Sequence, residues 1–105
     1  MPLGIADETR NDAITLTNTS VQVAVGRPRR AIYFRNSSAG VQVITVVPSN
    51  IQAAVDGYGI VLKPGEFFMD SSVAGENDDN GYRCYQGPYQ AISTAAGAIL
   101  SIFER

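Results

Sequence analysis

Arg30-Ala31-Ile32-Tyr33-Phe34-Arg35-Asn36-Ser37-Ser38-Ala39-Gly40-Val41-Gln42-Val43-Ile44-Thr45-Val46-Val47 sets two runs of β-branched and aromatic residues on either side of five small or polar ones. Such residues fit a pleated, half-buried surface, and Asn, Ser and Gly supply the turn conformations between strands. The stretch therefore predicts strands at Ala31–Asn36 and Val41–Val47, with Asn36–Gly40 as a hairpin connection. Working outward, the same punctuation recurs. Lys63-Pro64-Gly65 puts Pro and Gly at the two central positions of a type II turn, and Asn18-Thr19 and Ala96-Gly97 serve similarly. Further strands are predicted near Ala13–Thr17, Val21–Val25, Gly59–Lys63, Glu66–Asp70, Gly81–Tyr85, Gln90–Thr94 and Ala98–Glu104. No segment holds apolar residues at helical spacing over ten or more positions. Eight to nine short strands make the chain all-β, an antiparallel β-sandwich or small barrel, with a jelly roll among the options.

Alternation within the strands carries a second message. A sandwich strand shows one face to the core and one to solvent, so apolar and polar residues should alternate. Several strands here are apolar on both faces: Val41, Val43 and Val47 oppose Ile44 and Val46, Ile99 and Phe103 oppose Leu100 and Ile102, and Phe67 and Phe68 point apart. With no helices to cover the sheets, some of the outer surface is expected to lie against another molecule or against the N-terminal residues. A homo-oligomer is the expectation, with a trimer favoured.

A chain of 105 residues supports one core, burying about 65% of the surface its unfolded form exposes. Residues 1–12 are polar with little periodicity and read as an arm, and residues 13–105 as a single domain. Only 17% of residues are charged, below the average of about 25%, so much of the surface is neutral, as assembling proteins tend to be. A net charge of −2 argues against nucleic acid, whose phosphates demand an excess of Lys and Arg. Nonetheless Arg27, Arg29, Arg30 and Arg35, half of the eight basic residues, fall within nine positions and form the candidate partner-binding patch. The lone cysteine, Cys84, excludes an internal disulfide and reads as a buried thiol. MPLGIADETR has no apolar run behind a positive start, and no stretch approaches a membrane span. Neither a membrane partner nor passage across a membrane is expected.

Chemistry finds little purchase. The chain has no histidine, which removes the commonest general base, the commonest metal ligand and every Ser-His or Cys-His nucleophile arrangement. Asp56, Glu66 and Asp70 are the carboxylates that acid/base work on a glycoside would need, but their spacing singles out no pair. No catalytic residue, cofactor or metal is assigned, and the chain is read as not an enzyme. The acidic run Gly75-Glu76-Asn77-Asp78-Asp79-Asn80-Gly81 does not match an EF-hand and reads as an exposed loop. Tyrosines remain: Tyr58, Tyr82 and Tyr89 are candidate receptor or interface aromatics, since exposed rings stack on sugars and are enriched at protein contacts.

The segment Gly59-Ile60-Val61-Leu62-Lys63-Pro64-Gly65-Glu66, the acidic run, Gly87-Pro88-Tyr89-Gln90-Ala91-Ile92-Ser93 and Ala98-Ile99-Leu100-Ser101-Ile102-Phe103-Glu104 occur in that order. Together with Arg30–Ser37 and Val41-Gln42-Val43, they resemble the small β-sandwich decoration, or cement, proteins of tailed bacteriophages. The resemblance spans residues 29–104. It implies a virion protein, made in the host cytoplasm, that adheres to the capsid exterior, contacts the major capsid protein and holds neighbouring capsomers together. It brings no catalytic residues. The long acidic run and the nondescript N-terminal arm depart from the pattern and leave a second expectation standing: a tail, fibre or receptor-binding module that meets a host glycan or protein.

Overall fold

The computed structural model describes residues 9–49, 53–72 and 83–105. Eight strands run in the order β1 (Arg10–Leu16), β2 (Val21–Ala24), β3 (Ala31–Asn36), β4 (Ile44–Pro48), β5 (Ile60–Leu62), β6 (Phe67–Ser71), β7 (Tyr89–Ser93) and β8 (Ala98–Glu104). They form two four-stranded sheets, ordered β1-β8-β3-β6 and β2-β7-β4-β5, with every pairing antiparallel. First pairs with eighth, second with seventh, third with sixth and fourth with fifth. The chain is thus one long hairpin rolled up on itself, which is the jelly-roll arrangement of an antiparallel sandwich.

The rolling corrects one sequence expectation. Asn36–Gly40 is not a hairpin, because β3 and β4 lie in different sheets. Asn36 is fully buried, and its side-chain amide donates to the carbonyls of Gln42 and Leu62, both at 2.8 Å. Its Oδ1 accepts the Ser38 N–H at 3.0 Å. One amide thus satisfies groups on the connection and on β5, where a hairpin would have used ladder bonds. Lys63-Pro64-Gly65-Glu66 is the turn its residues predict, with Gly65 at φ 87° and the Glu66 N–H on the Lys63 carbonyl at 2.9 Å. It too joins strands of opposite sheets.

Ile32, Phe34, Leu100 and Ile102 from the first sheet and Ile44, Val46, Tyr89 and Ala91 from the second belong to one buried core. Phe34 meets the edge of Tyr89 with ring centroids 4.8 Å apart. The expected ninth strand at Gly81–Tyr85 does not form over residues 83–85, and residues 81–82 lie outside the described part. Side chains replace the ladder there: Cys84 N–H donates to Ser72 Oγ at 3.1 Å and Tyr85 N–H to Asp70 Oδ2 at 3.0 Å. β1 starts three residues earlier than expected, because Arg10 stands opposite Glu104 and pairs with its carboxylate at 2.7 Å. Residues 10–12 therefore belong to the sheet.

Part of the outer face of β2-β7-β4-β5 is covered by the chain itself, although Val61, opposite Thr45 in the register, stays 40% exposed. Thr45 points outward from β4 yet is fully buried, because the β4–β5 connection crosses over it and Gly57 N–H donates to its Oγ1 at 3.0 Å. Ala54, in the same connection, is buried and donates to Ser20 Oγ at 2.8 Å. The two-sided apolar pattern of Val41–Val47 is met partly in this way, by the chain's own β4–β5 connection.

Candidate functional site

Among the described residues, no connection crosses the outer face of the other sheet in this way. In β1-β8-β3-β6 the register sets Asn11, Phe103, Tyr33 and Met69 in one outward row and Ala13, Ser101, Arg35 and Phe67 in the next. These rows alternate with the buried Ile32, Phe34, Leu100 and Ile102, as period-two strands require. Phe67 is 60% exposed, Met69 56% and Phe103 38%. Tyr33 stacks on Phe67 across the strands, centroids 5.4 Å apart and rings inclined by 28°. Two aromatic side chains thus fix one another on the surface with no help from the core.

Two guanidiniums frame this strip. Arg35 is exposed on the outward side of β3. Arg105 continues the β8 ladder opposite Ala31, its N–H on the Ala31 carbonyl at 3.1 Å and its carbonyl accepting from Ala31 at 3.0 Å. Alternation after the buried Glu104 turns it outward. A surface of exposed aromatics, a methionine and arginine is the composition that protein interfaces favour.

The four arginines of the candidate patch do not form one patch. Arg29 is buried at 3% exposure, and its Nε donates to Glu104 Oε1 at 2.9 Å. Its remaining nitrogens donate to the carbonyls of Tyr85 at 2.8 Å, Gly87 at 2.9 Å and Val25 at 2.7 Å. The guanidinium also stands 5.9 Å from the Tyr89 ring centroid. Arg29 closes the interior at one end of the sandwich and is unavailable to a partner. Arg27 lines a groove between β1 and β2 together with Arg10, Ile14, Val23 and Val25. Arg30 is exposed where β3 begins, its N–H on the Arg105 carbonyl. Only Arg35 lies within the apolar strip.

Of the three candidate tyrosines, Tyr89 is a core residue at 1% exposure, packed edge-on against Phe34 and Tyr85. Tyr58 is 76% exposed in the β4–β5 connection, and Tyr82 lies outside the described residues, as does the acidic run 75–81. Sequence reasoning did not find Met69 or Arg105. It did register the signal that finds Phe67 and Phe103, since both belong to two-sided apolar strands.

Cys84 is buried. Desolvation pushes its thiol up to about 11, and the neighbouring Asp70 charge acts in the same direction. The thiolate, which is the reactive form, is thereby suppressed at neutral pH. Among the described residues no group of three His, Cys, Asp or Glu side chains is placed to hold a metal. No described helix is long and apolar enough to cross a membrane. No family model, curated protein or solved structure matches the chain.

Proposed function

We propose that this chain is a capsid decoration protein of a tailed phage, which lays the outward face of its β1-β8-β3-β6 sheet on the shell and strengthens contacts between capsomers. The observation that carries the reading is the asymmetry of the sandwich. One outer face is crossed by the chain's own connection, while the other leaves Phe67, Met69 and Phe103 in solvent. Contiguous exposed apolar surface on a small domain marks an interaction site. Binding to assembled shell and not to free subunits stabilises the assembled state by mass action, and repetition over the shell multiplies the effect. The jelly-roll fold hosts capsid, lectin and other functions, so the fold alone decides nothing.

Immunogold electron microscopy of virions, with an antibody raised against the chain, tests this reading. Gold over the heads supports it. Gold on the tails supports the receptor-binding alternative, for which Tyr58 is the exposed candidate tyrosine among the described residues, and unlabelled virions remove both.

A further inference from the structure

We infer that the outward face of β1-β8-β3-β6 docks on a foreign, acidic protein surface and not on the same face of a second copy of this chain; the inference rests on the docking role proposed above. The chain carries ten Asp and Glu against eight Lys and Arg, so a face without carboxylates runs against its composition. Among the described residues, the outward positions of this sheet include Arg35 and Arg105 and no Asp or Glu. Neither arginine makes a side-chain ion pair with a described residue.

The described Asp and Glu side chains are all engaged or placed elsewhere. Asp70 and Glu104 are buried. Asp12, at an inward register position beside Ile102, pairs with Arg10 at 3.2 Å. Glu66 accepts the Lys63 N–H at 2.8 Å, and Asp56 belongs to the connection across the opposite sheet.

Laying this face on the same face of a copy would therefore bring four guanidiniums into a desolvated contact with no described Asp or Glu to answer them. Like charges juxtaposed at an interface exclude a partner as strongly as opposite charges select one. A carboxylate-bearing surface removes the conflict and lets Arg35 and Arg105 form charge-assisted hydrogen bonds. The ladder also sets the spacing. Arg105 stands opposite Ala31, and Arg35 is four residues further along β3, so the two backbone positions are about 14 Å apart at about 3.4 Å per residue. The partner should present two acidic points at about that separation, flanking an apolar strip that receives Phe103, Tyr33, Phe67 and Met69.

Single-stranded nucleic acid fits less well. Two guanidiniums track few phosphates, and the Tyr33 and Phe67 rings are stacked on one another where a base platform would offer free faces.

Heads stripped of the protein and then offered purified wild type or Arg35→Glu/Arg105→Glu chain give the test. Both substituted residues are exposed, so urea midpoints should match the wild type's. Wild type should refill the heads, the double variant should occupy them at least tenfold less at low salt, and Asp56→Arg, on the opposite face, should bind like wild type. Oxidation of Met69 by dilute peroxide should be slowed on filled heads relative to free protein. Equal occupancy by the double variant, with unprotected Met69, overturns the acidic-partner inference and leaves decoration standing. Wild type that never binds heads overturns the docking role and the inference with it. Two further results overturn the inference alone: wild-type self-association in sedimentation that Phe67→Ser abolishes, and binding of a twenty-residue oligothymidylate that Arg35→Glu abolishes.

Discussion

Glu104 is a carboxylate with no exposure, held between Arg29 at 2.9 Å and Arg10 at 2.7 Å. Its partners do not share its burial equally: the Arg10 side chain is 28% exposed and the Arg29 side chain not at all. Removing one member of a buried pair leaves the other charged and unanswered, which costs about 3–5 kcal/mol. Glu104→Gln and Arg29→Met should each lower stability by about that amount, read as a shift in urea midpoint. A double-mutant cycle should show strong coupling between the two sites. Near-additive losses would mean that Arg29 acts mainly through the Tyr85, Gly87 and Val25 carbonyls. Cys84 offers a pH test. Its native thiol ionises at about 11 against 9.0 for the unperturbed group, so between those values the unfolded chain has released a proton that the native one retains. Stability therefore falls as pH rises through this window, by up to about 1.4 kcal/mol per pH unit. Cys84→Ala should remove that part of the slope in urea titrations at pH 8 and 10.5, while at pH 7 the wild-type thiol should react slowly with maleimide unless denatured.

Strand identity was legible from local chemistry, and strand partnership was not. Ala31–Asn36 and Ala98–Glu104 carry the boundaries their residues predict, because β-branched and aromatic runs between turn residues leave few alternatives. The hairpin expected at Asn36–Gly40 failed because turn residues report a local change of direction and say nothing about which sheet the next strand joins. What decides is long-range: the Asn36 amide reaches Leu62, 26 residues away. The β4–β5 connection shows the same limit. Gly59 adopts φ 146°, and a Cβ there would strike the Val47 side chain and lie 3.0 Å from the Val46 carbonyl oxygen. Strain and clash together should make Gly59→Ala cost about 2–3 kcal/mol. Thr45→Val, which deletes the acceptor for Gly57 N–H, should cost about 0.5–1.5 kcal/mol. Thermal melts would measure both losses. If the connection is held mainly by these contacts, amide exchange should quicken at Gly57 before it does in β7.

At the scale of the molecule, the sequence disclosed that too many strands were apolar on both sides but not where the excess would surface. Val41–Val47 and Phe67–Phe68 look alike as sequence, yet Thr45 is roofed by the chain's own connection and Phe67 is bare. The difference depends on the path of a connection, which strand periodicity does not encode. Clustered arginines misled for a related reason, since five residues of extended strand separate Arg30 from Arg35 by about 17 Å, and Arg29, between Arg27 and Arg30, turns inward. The assembled face joins apolar rings to guanidiniums that no described carboxylate side chain pairs, and this combination has a direct optical test. Anilinonaphthalene sulfonate is an apolar anion, so it should fluoresce with the native protein at low salt, against the rule that compact folded domains leave it dark. Phe67→Ser/Phe103→Ser should abolish the signal while leaving the thermal midpoint within a few degrees, because both rings are exposed and surface changes cost little. Arg35→Ser should weaken dye binding several-fold, and added salt should reproduce that loss in the wild type. Fluorescence indifferent to all of these substitutions would place the sticky surface elsewhere, with the groove beside β2 next in line.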